Sequence, residues 1–149
     1  MTDPALLLDG FLPYRLSIAS NAISDVIATA YRRRFDIGVP EWRIVAILGE
    51  SGPLAPREIA MRGRMDKVSV SRAAKMLEGR GLVARSPHDG DQRSHRLALT
   101  DAGRSLYDAV APEALALEEW LFAGFQPWER EALACFLDRA LAAAEACEI

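Results

Sequence analysis

A run of side chains that donate hydrogen bonds or carry positive charge lies between positions 67 and 75. Its members are Lys67, Ser69, Ser71, Arg72 and Lys75. Serine hydroxyls and arginine guanidinium groups suit acceptor-rich partners, and the cations neutralise anions such as phosphate groups. Interleaved with them are Val70, Ala73, Ala74 and Leu77. Because these apolar residues recur at three- and four-residue spacing, the pattern predicts a helix with one buried face and one exposed cationic face.

The residues around this helix predict where it begins and ends. Asp66 can accept hydrogen bonds from the free N–H groups of a first helical turn, and Gly81 can take the left-handed conformation that stops a helix. We therefore expect the helix to run from Asp66 to about Arg80. A shorter helix is predicted before it, over residues 56 to about 62, with Pro56 in its first turn and Ile59 facing inwards.

A charged β-hairpin is predicted after Gly81. Residues 82–85 and 96–99 have strand character, and residues 87–90 have the composition of a turn. Helix, turn, helix and hairpin are the layout of a winged helix-turn-helix. A helix of this kind fits the major groove of B-DNA, while the hairpin beside it reaches phosphates or the minor groove.

Four motifs resemble the MarR (multiple antibiotic resistance regulator) family of bacterial regulators. They are MDKVSVSR at 65–72, LEGRGLVAR at 77–85, DQR at 91–93 and LALTDAG at 97–103. Together with the order of the flanking helices, the resemblance covers nearly the whole chain. It implies a mainly α (α+β) fold, a winged helix-turn-helix with long N- and C-terminal dimerisation helices. It also implies a homodimeric, DNA-binding transcriptional regulator, usually a repressor released by a small ligand or an oxidant.

The resemblance assigns roles to residues outside the cationic helix. Arg93 occupies the position of the family's Asp-x-Arg motif and is expected to enter the minor groove of double-stranded DNA, while Asp91 pairs with it or with a neighbouring arginine and holds the tip of the wing in shape. The alternative is a flexible, solvated wing whose charges only add to the basic field. Tyr14, Arg15 and Trp42 lie near the junction that contains the family's ligand pocket. They are either plain core residues or the site of an aromatic carboxylate effector, whose acid would pair with the arginine.

The flanking segments are predicted to be helical. A long helix is expected from about Asp9 to Phe35, with a heptad-like seam that packs within the chain or against a second subunit. The seam consists of Leu12, Leu16, Ala19, Ile23, Val26 and Ala30. Residues 37–40 are expected to form a turn, followed by a helix over 41–50 that offers Trp42, Val45, Ala46 and Leu48 for burial.

Two further helices are predicted after the hairpin. The first follows Thr100, with a kink or break near Ala111 caused by Pro112. The second runs over about 127–146 and is expected to bury Leu133, Phe136, Leu137, Ala140 and Leu141. We therefore expect a single MarR-type domain over 1–149, with a DNA-binding lobe at 40–100 and a dimerisation region at 9–37 and 101–149.

The charge is distributed unevenly along the chain. The net charge is −3, yet residues 57–104 contain 11 Lys and Arg against 6 Asp and Glu. This places the cations where the helix-turn-helix is predicted. The chain has no apolar run long enough to span a bilayer, and its first residues lack the positive charge with which secretion signals begin. We therefore expect a soluble, cytoplasmic protein without membrane contact.

Catalytic, metal and cofactor sites are not expected. His88 and His95 lie in the predicted hairpin without a metal-binding pattern, and are expected to be solvent-exposed or to contact phosphates. Cys135 and Cys147 lie in an acidic segment that disfavours a reactive thiolate, so buried or idle cysteines are expected. The alternatives to a DNA-binding regulator are a winged-helix protein-interaction module, a thiol-based redox regulator and a small-molecule enzyme.

Overall fold

The computed structural model describes the backbone of residues 4–88 and 91–149, and the side chains of these residues except 87, 88 and 91–94. A short 3-10 helix at Leu8–Gly10 precedes α1 (Leu12–Phe35), α2 (Val39–Ser51), α3 (Pro56–Gly63) and α4 (Lys67–Gly79). Strands β1 (Val83–His88) and β2 (Asp91–Leu99) follow, and then α5 (Asp101–Leu121) and α6 (Pro127–Glu145). The chain forms two compact units, one ending at Ala114 and one over Leu115–Ile149.

The start of α1 differs from the sequence prediction. The helix begins at Leu12, not near Asp9, because residues 8–10 form the 3-10 helix and Phe11 is extended. Its end was predicted correctly: α1 stops at Phe35, and Asp36 takes the left-handed conformation with φ 51°. Arginines at positions 32–34 fill the last turn, where cations oppose the negative end of the helix dipole.

The turn predicted over residues 37–40 is wrong in its second half. Val39 and Pro40 form the first turn of α2, where proline is tolerated because its missing N–H would have no helical partner. The helix ends at Ser51, and Gly52 follows with φ 76°. Its inner face includes Ile44, which is fully buried and which the spacing argument missed.

The core of the first unit joins α2, α3, α4, β2 and α5. Its fully buried large side chains include Ile44, Leu48, Ile59, Leu77, Leu97 and Val110. The whole predicted stripe of α4, Val70, Ala73, Ala74 and Leu77, is buried, which confirms the division of that helix into two faces. Since α4 packs on both α2 and α3, its opposite face is the one that remains available to a partner.

The hairpin is longer than predicted. β1 pairs antiparallel with β2, with Val83 opposite Leu99, and Pro87 and His88 belong to β1 and not to a turn. Leu54, just before α3, adds an isolated bridge to Leu97: the N–H of each donates to the carbonyl of the other, at 3.1 and 2.8 Å. The hairpin is therefore held to the helix-turn-helix by backbone bonds.

Thr100 joins the hairpin to α5 and its side chain caps the start of that helix. Its Oγ accepts a hydrogen bond from the N–H of Gly103 at 3.1 Å and donates to the carbonyl of Gly81 at 2.6 Å. Its own N–H donates to the carbonyl of Leu82 at 3.1 Å.

The predicted break at Pro112 is wrong, since α5 continues through this residue. One lost backbone donor does not interrupt a helix whose neighbouring bonds are intact.

The predicted burial of the α6 face is wrong for a single chain. No residue of α6 is buried, and Phe136, Leu137 and Leu141 are 57%, 47% and 43% exposed. Within the second unit α6 has only the last turns of α5 as a partner, where Arg130 pairs with Glu119 at 2.7 Å. A pair of helices offers too little surface to cover such a face.

The seam of α1 is exposed in the same way. Leu12, Leu16 and Val26 are 69%, 46% and 37% exposed, so the chain itself does not cover them.

Among the helices that the structure describes, none has both the length and the apolar character needed to cross a bilayer.

Gly103 provides a test of the junction between hairpin and α5. A Cβ at this position would overlap the backbone carbonyl oxygen of Leu82, which a side-chain rotation cannot relieve. We expect Gly103→Ala to lower the free energy of unfolding by about 1–3 kcal/mol, measured by urea denaturation. The matched control is Gly79→Ala, because Gly79 is also helical and a Cβ there meets nothing within 4 Å. Equal stabilities of the two variants would contradict the close approach at Gly103.

Candidate nucleic-acid interface

The start of α4 is fixed by a cap that the sequence predicted. The carboxylate of Asp66 accepts the backbone N–H of Ser69 at 2.8 Å and the hydroxyl of Ser69 at 2.7 Å. These two bonds, the hydroxyl one first, lower the pKa of Asp66 below its usual value. The ionised carboxylate therefore sets where the helix begins and how its first turn is oriented.

An exposed, positively charged surface covers the side of α4 opposite the core. We call it the α4 face; it consists of Lys67, Val68, Ser71, Arg72 and Lys75, which line a shallow depression of about 380 Å³. Lys67, Ser71, Arg72 and Lys75 are all exposed. Among the residues that the structure describes, none forms an ion pair or hydrogen bond with the three cationic side chains of this face. These charges are therefore available to an anionic partner.

Ser69 does not belong to the α4 face, although the sequence grouped it with the others. It is half-buried, and its hydroxyl donates to Asp66. A hydroxyl has one proton to donate, so the donor of Ser69 is already used in the cap. The structure thus brings four of the five predicted residues of this helix together and gives Ser69 a local partner.

A second concave surface lies between α3, α4 and the hairpin. This groove has a volume of about 440 Å³, and its polar lining residues are Arg57, Lys67, Ser71, Arg85 and His95. Arg57 is exposed on the first turn of α3. The groove extends the cationic surface from α4 towards α3 and the base of the hairpin.

The base of the hairpin is held to α4 by side chains that sequence reasoning missed. Arg85 of β1 donates to Glu78 of α4 at 2.6 Å and also contacts the ring nitrogen Nε2 of His95 on β2. His95 was expected to be solvent-exposed or to contact phosphates; it is half-buried, and the phosphate contact stays a prediction. Three elements supply this cluster, and no spacing along the chain indicates such a meeting.

Arg80 has a structural role of the same kind. Its guanidinium donates to the carbonyl of Asp36 at 2.6 Å and to the carbonyl of Phe35 at 3.4 Å. The end of α4 is thereby connected to the end of α1, where free helix carbonyls need donors. A cation that the charge count assigns to the basic region is thus used inside the fold.

The wing tip was predicted to place Asp91 and Arg93 at DNA. The side chains of both residues lie outside the described part of the structure, as does that of His88. Their predicted roles stay predictions.

The three residues of the predicted ligand pocket do not meet within one chain. Tyr14 and Arg15 are exposed near the start of α1, whereas half-buried Trp42 packs edge-on against Tyr31 at 5.8 Å between ring centroids. Tyr14 lies 17 residues before Tyr31 on the same helix, which corresponds to about 25 Å along the helix axis. Trp42 therefore lies far from the other two.

Trp42 belongs instead to an aromatic cluster of three helices. Its ring stacks on Tyr107 of α5, with centroids 5.9 Å apart, and the guanidinium of Arg104 lies 5.3 Å from the Tyr107 centroid. Burial raises the pKa of Tyr31, the third member. The sequence showed aromatic residues but not that Tyr31 and Tyr107 share a cluster with Trp42, because each lies on a different helix.

The cysteines are exposed and free. Of the two states expected for Cys135 and Cys147, buried or idle, burial is wrong; that they are idle stays a prediction, because exposure alone does not make a redox site.

Two packed helices, the second with an exposed cationic face, followed by an antiparallel hairpin, define a winged helix-turn-helix protein. Residues 37–95 match the model of the MarR family. Over these residues, which include the helix-turn-helix and part of the hairpin, the chain is similar to this family.

Curated relatives match part of the chain. The HTH-type transcriptional regulator FarR of Neisseria gonorrhoeae is 34% identical over 73 residues, which cover 49% of this chain and 50% of that protein. The HTH-type transcriptional repressor NicR of Pseudomonas putida is 30% identical over 86 residues, covering 58% and 54%. The chain thus spans about half the length of the curated relatives that it matches. Both relatives are named as regulators and not as enzymes.

Solved structures match over nearly the full length. A MarR/EmrR family transcriptional regulator from Acinetobacter sp. ADP1 superposes with a TM-score of 0.87 and 26% identity, covering 95% of this chain and 100% of that one. A MarR family regulator from Streptomyces coelicolor, solved in complex with DNA, gives a TM-score of 0.85 at 22% identity, covering 99% and 94%. The second likeness shows the fold alone.

The cap of α4 has a pH dependence that can be measured. Because the pKa of Asp66 is lowered in the folded chain, its contribution to stability is present above the ordinary value of 3.8 and is lost as the pH falls through the lowered value. We expect Asp66→Asn to be less stable than the parent at pH 7, with the difference shrinking below pH 4. Thermal unfolding of both proteins across this range measures it. A difference that stays constant with pH would contradict a charged cap.

Proposed function

We propose that the protein is a sequence-specific transcriptional regulator that binds double-stranded DNA as a homodimer, in the cytoplasm, at a pseudo-palindromic operator. The observation that carries this proposal is the α4 face, whose cations have no partner among the described residues and whose opposite side is buried. A rigid helix with free donors and cations on one side is suited to the major groove.

The placement of the charges supports DNA as the partner. Lys67, Ser71 and Arg72 lie in the first two turns of α4, the part that such a helix presents to base edges. We assign Arg72 and Ser71 to bases or adjacent phosphates, and Lys67 and Lys75 to the backbone. Ser69 acts through the cap, where it orients this first turn. Arg57 extends the phosphate contacts to α3.

The hairpin would contribute a contact at the neighbouring minor groove. We retain Arg93 as the residue that enters it and Asp91 as its support, on the grounds of the Asp-x-Arg motif. The cluster of Arg85, Glu78 and His95 supports this assignment indirectly, because it fixes the base of the hairpin relative to α4.

A homodimer is supported by the apolar surface that a single chain leaves exposed. Leu12 and Leu16 of α1 and Phe136 and Leu137 of α6 are each at least two-fifths exposed. Covering such residues with a second copy removes apolar area from water, worth about 25 cal/mol per Å². A two-fold dimer would then present two α4 helices to half-sites about 34–36 Å apart.

Repression and release by a small molecule complete the proposal. The relative NicR is named a repressor, which supports repression as the mode of regulation. An aromatic carboxylate remains the proposed effector class, on the chemistry of Tyr14, Arg15 and Trp42. Since these residues are far apart in one chain, a pocket that uses all three would require residues from both subunits.

The rival functions lack a supporting observation. A winged-helix module for protein binding would favour an apolar α4 face, whereas this face carries three cations without a partner among the described residues. A thiol switch would favour an electropositive cysteine, and the two cysteines are only exposed.

Arg72 tests the DNA-binding face. Replacing it with alanine removes a free guanidinium, and we expect operator affinity to fall by about 1–3 kcal/mol, measured by fluorescence anisotropy on the DNA upstream of the gene. The matched control is Arg43→Ala, because Arg43 is also exposed but lies on α2. Unchanged affinity for the Arg72 variant would overturn its assignment to DNA.

Leu137 tests the homodimer. Its side chain is 47% exposed in a single chain, so a charge there should not disturb the folded subunit. We expect Leu137→Glu to raise the dimer dissociation constant at least about ten-fold, since the interface would bury an unpaired carboxylate from each subunit. Sedimentation velocity measures this, with Met61→Glu, at a 71% exposed position of α3, as the control. A parent protein that is monomeric at micromolar concentration would refute the dimer.

A further inference from the structure

One apolar side chain lies within the otherwise polar α4 face. Val68 is 63% exposed and occupies the second position of α4, next to Lys67. With Ser71, Arg72 and Lys75 it lines the shallow depression of about 380 Å³. Sequence reasoning passed over this residue, because it was neither part of the buried stripe nor a donor or a cation.

Val68 does not contribute to the core. Val70, two positions further along α4, is only 2% exposed and is the residue of this helical turn that packs in the core. Two other apolar side chains of these helices are also exposed, Met61 of α3 by 71% and Met76 of α4 by 48%. Neither of them lines the depression on the α4 face. Val68 is thus the apolar residue placed where the proposed DNA contact begins.

The major groove offers one apolar group that such a side chain can recognise. Thymine carries a methyl group at C5, whereas the other base edges present hydrogen-bond donors and acceptors. Valine suits this contact because its branched side chain has one strongly preferred rotamer in a helix, so little freedom is lost when it packs. Its two methyl groups cannot replace a hydrogen bond to any other base edge.

We propose that Val68 contacts the 5-methyl group of a thymine and thereby specifies a thymine at one position of the operator half-site. The proposal rests on the proposed DNA-binding function and adds a residue that selects sequence. Val68 and Arg72 are four residues apart, so their Cβ atoms lie about 5–6 Å from each other on one side of the helix. Since successive bases are about 3.4 Å apart, the thymine lies within one or two base pairs of the position that Arg72 contacts.

The test removes each methyl group separately. A duplex selected by the protein from a randomised library is resynthesised as a series, in which one thymine at a time is replaced by deoxyuridine, which lacks only the 5-methyl group. Affinities are measured for the parent protein and for Val68→Ala. The variant should fold normally, because the side chain is exposed and alanine favours helix.

We expect one deoxyuridine position near the Arg72 contact to weaken binding of the parent protein about three- to five-fold, the effect of one buried methyl group. Val68→Ala should lose a similar factor on the thymine duplex and should bind the thymine and deoxyuridine duplexes equally well. Met61→Ala is the control: it should show the same loss at that deoxyuridine as the parent protein.

The outcomes separate this inference from the proposed function. If the parent protein selects no sequence and binds no duplex, the DNA-binding function itself is overturned. If it binds a selected duplex but no deoxyuridine matters, the contact with thymine is overturned and DNA binding stands. If a deoxyuridine weakens the parent and Val68→Ala by the same factor, the methyl group is recognised by another residue, and the assignment to Val68 is likewise overturned.

Discussion

The burial of the apolar side of α4 is the constraint on which the rest of the structure depends. Leu77 and Val70 lie in the core against α2 and α3, and fully burying a side chain of this kind contributes about 1.5–3 kcal/mol. Rotation of α4 about its axis would expose these residues and bury Lys67 and Arg72, whose charges would then lose their hydration. The packing therefore determines which side chains a partner meets, and the proposed recognition surface follows from it.

Hydrogen bonds to the backbone hold the hairpin in position, in addition to the pair between Arg85 and Glu78. Leu54 pairs with Leu97, and Thr100 bonds to Gly81 and Leu82. Gly103 allows α5 to pass close to the carbonyl of Leu82. Because these bonds connect the segments before α3, after α4 and before α5, the base of the wing is held relative to α4 without any DNA contact. Such a fixed base is what a minor-groove contact beside a major-groove helix requires.

Local patterns predicted the parts of the structure that local forces determine. The cap at Asp66, the buried stripe of α4 and the left-handed Gly81, which has φ 70° just after α4 ends, all follow from chemistry within a few residues. The α6 face was misjudged because periodicity shows that one side is apolar but not what covers it. The cluster of Arg85 and His95, and the stacking of Trp42 on Tyr107, escaped prediction because their members come from separate elements. Long-range partners are set by packing, which spacing does not contain.

The charge count along the chain also overstates what an anionic partner would meet. Residues 57–104 hold 11 cations. Of these, Arg85 pairs with Glu78, while Arg80 and Arg62 donate to groups within the fold. The carboxylate of Glu78 offsets the charge of Arg85, whereas Arg80 and Arg62 keep their charge but use guanidinium donors on neutral acceptors within the fold. Lys67, Arg72 and Lys75 share one helix face and have no partner among the described residues, so an acidic chain can still present a cationic recognition surface.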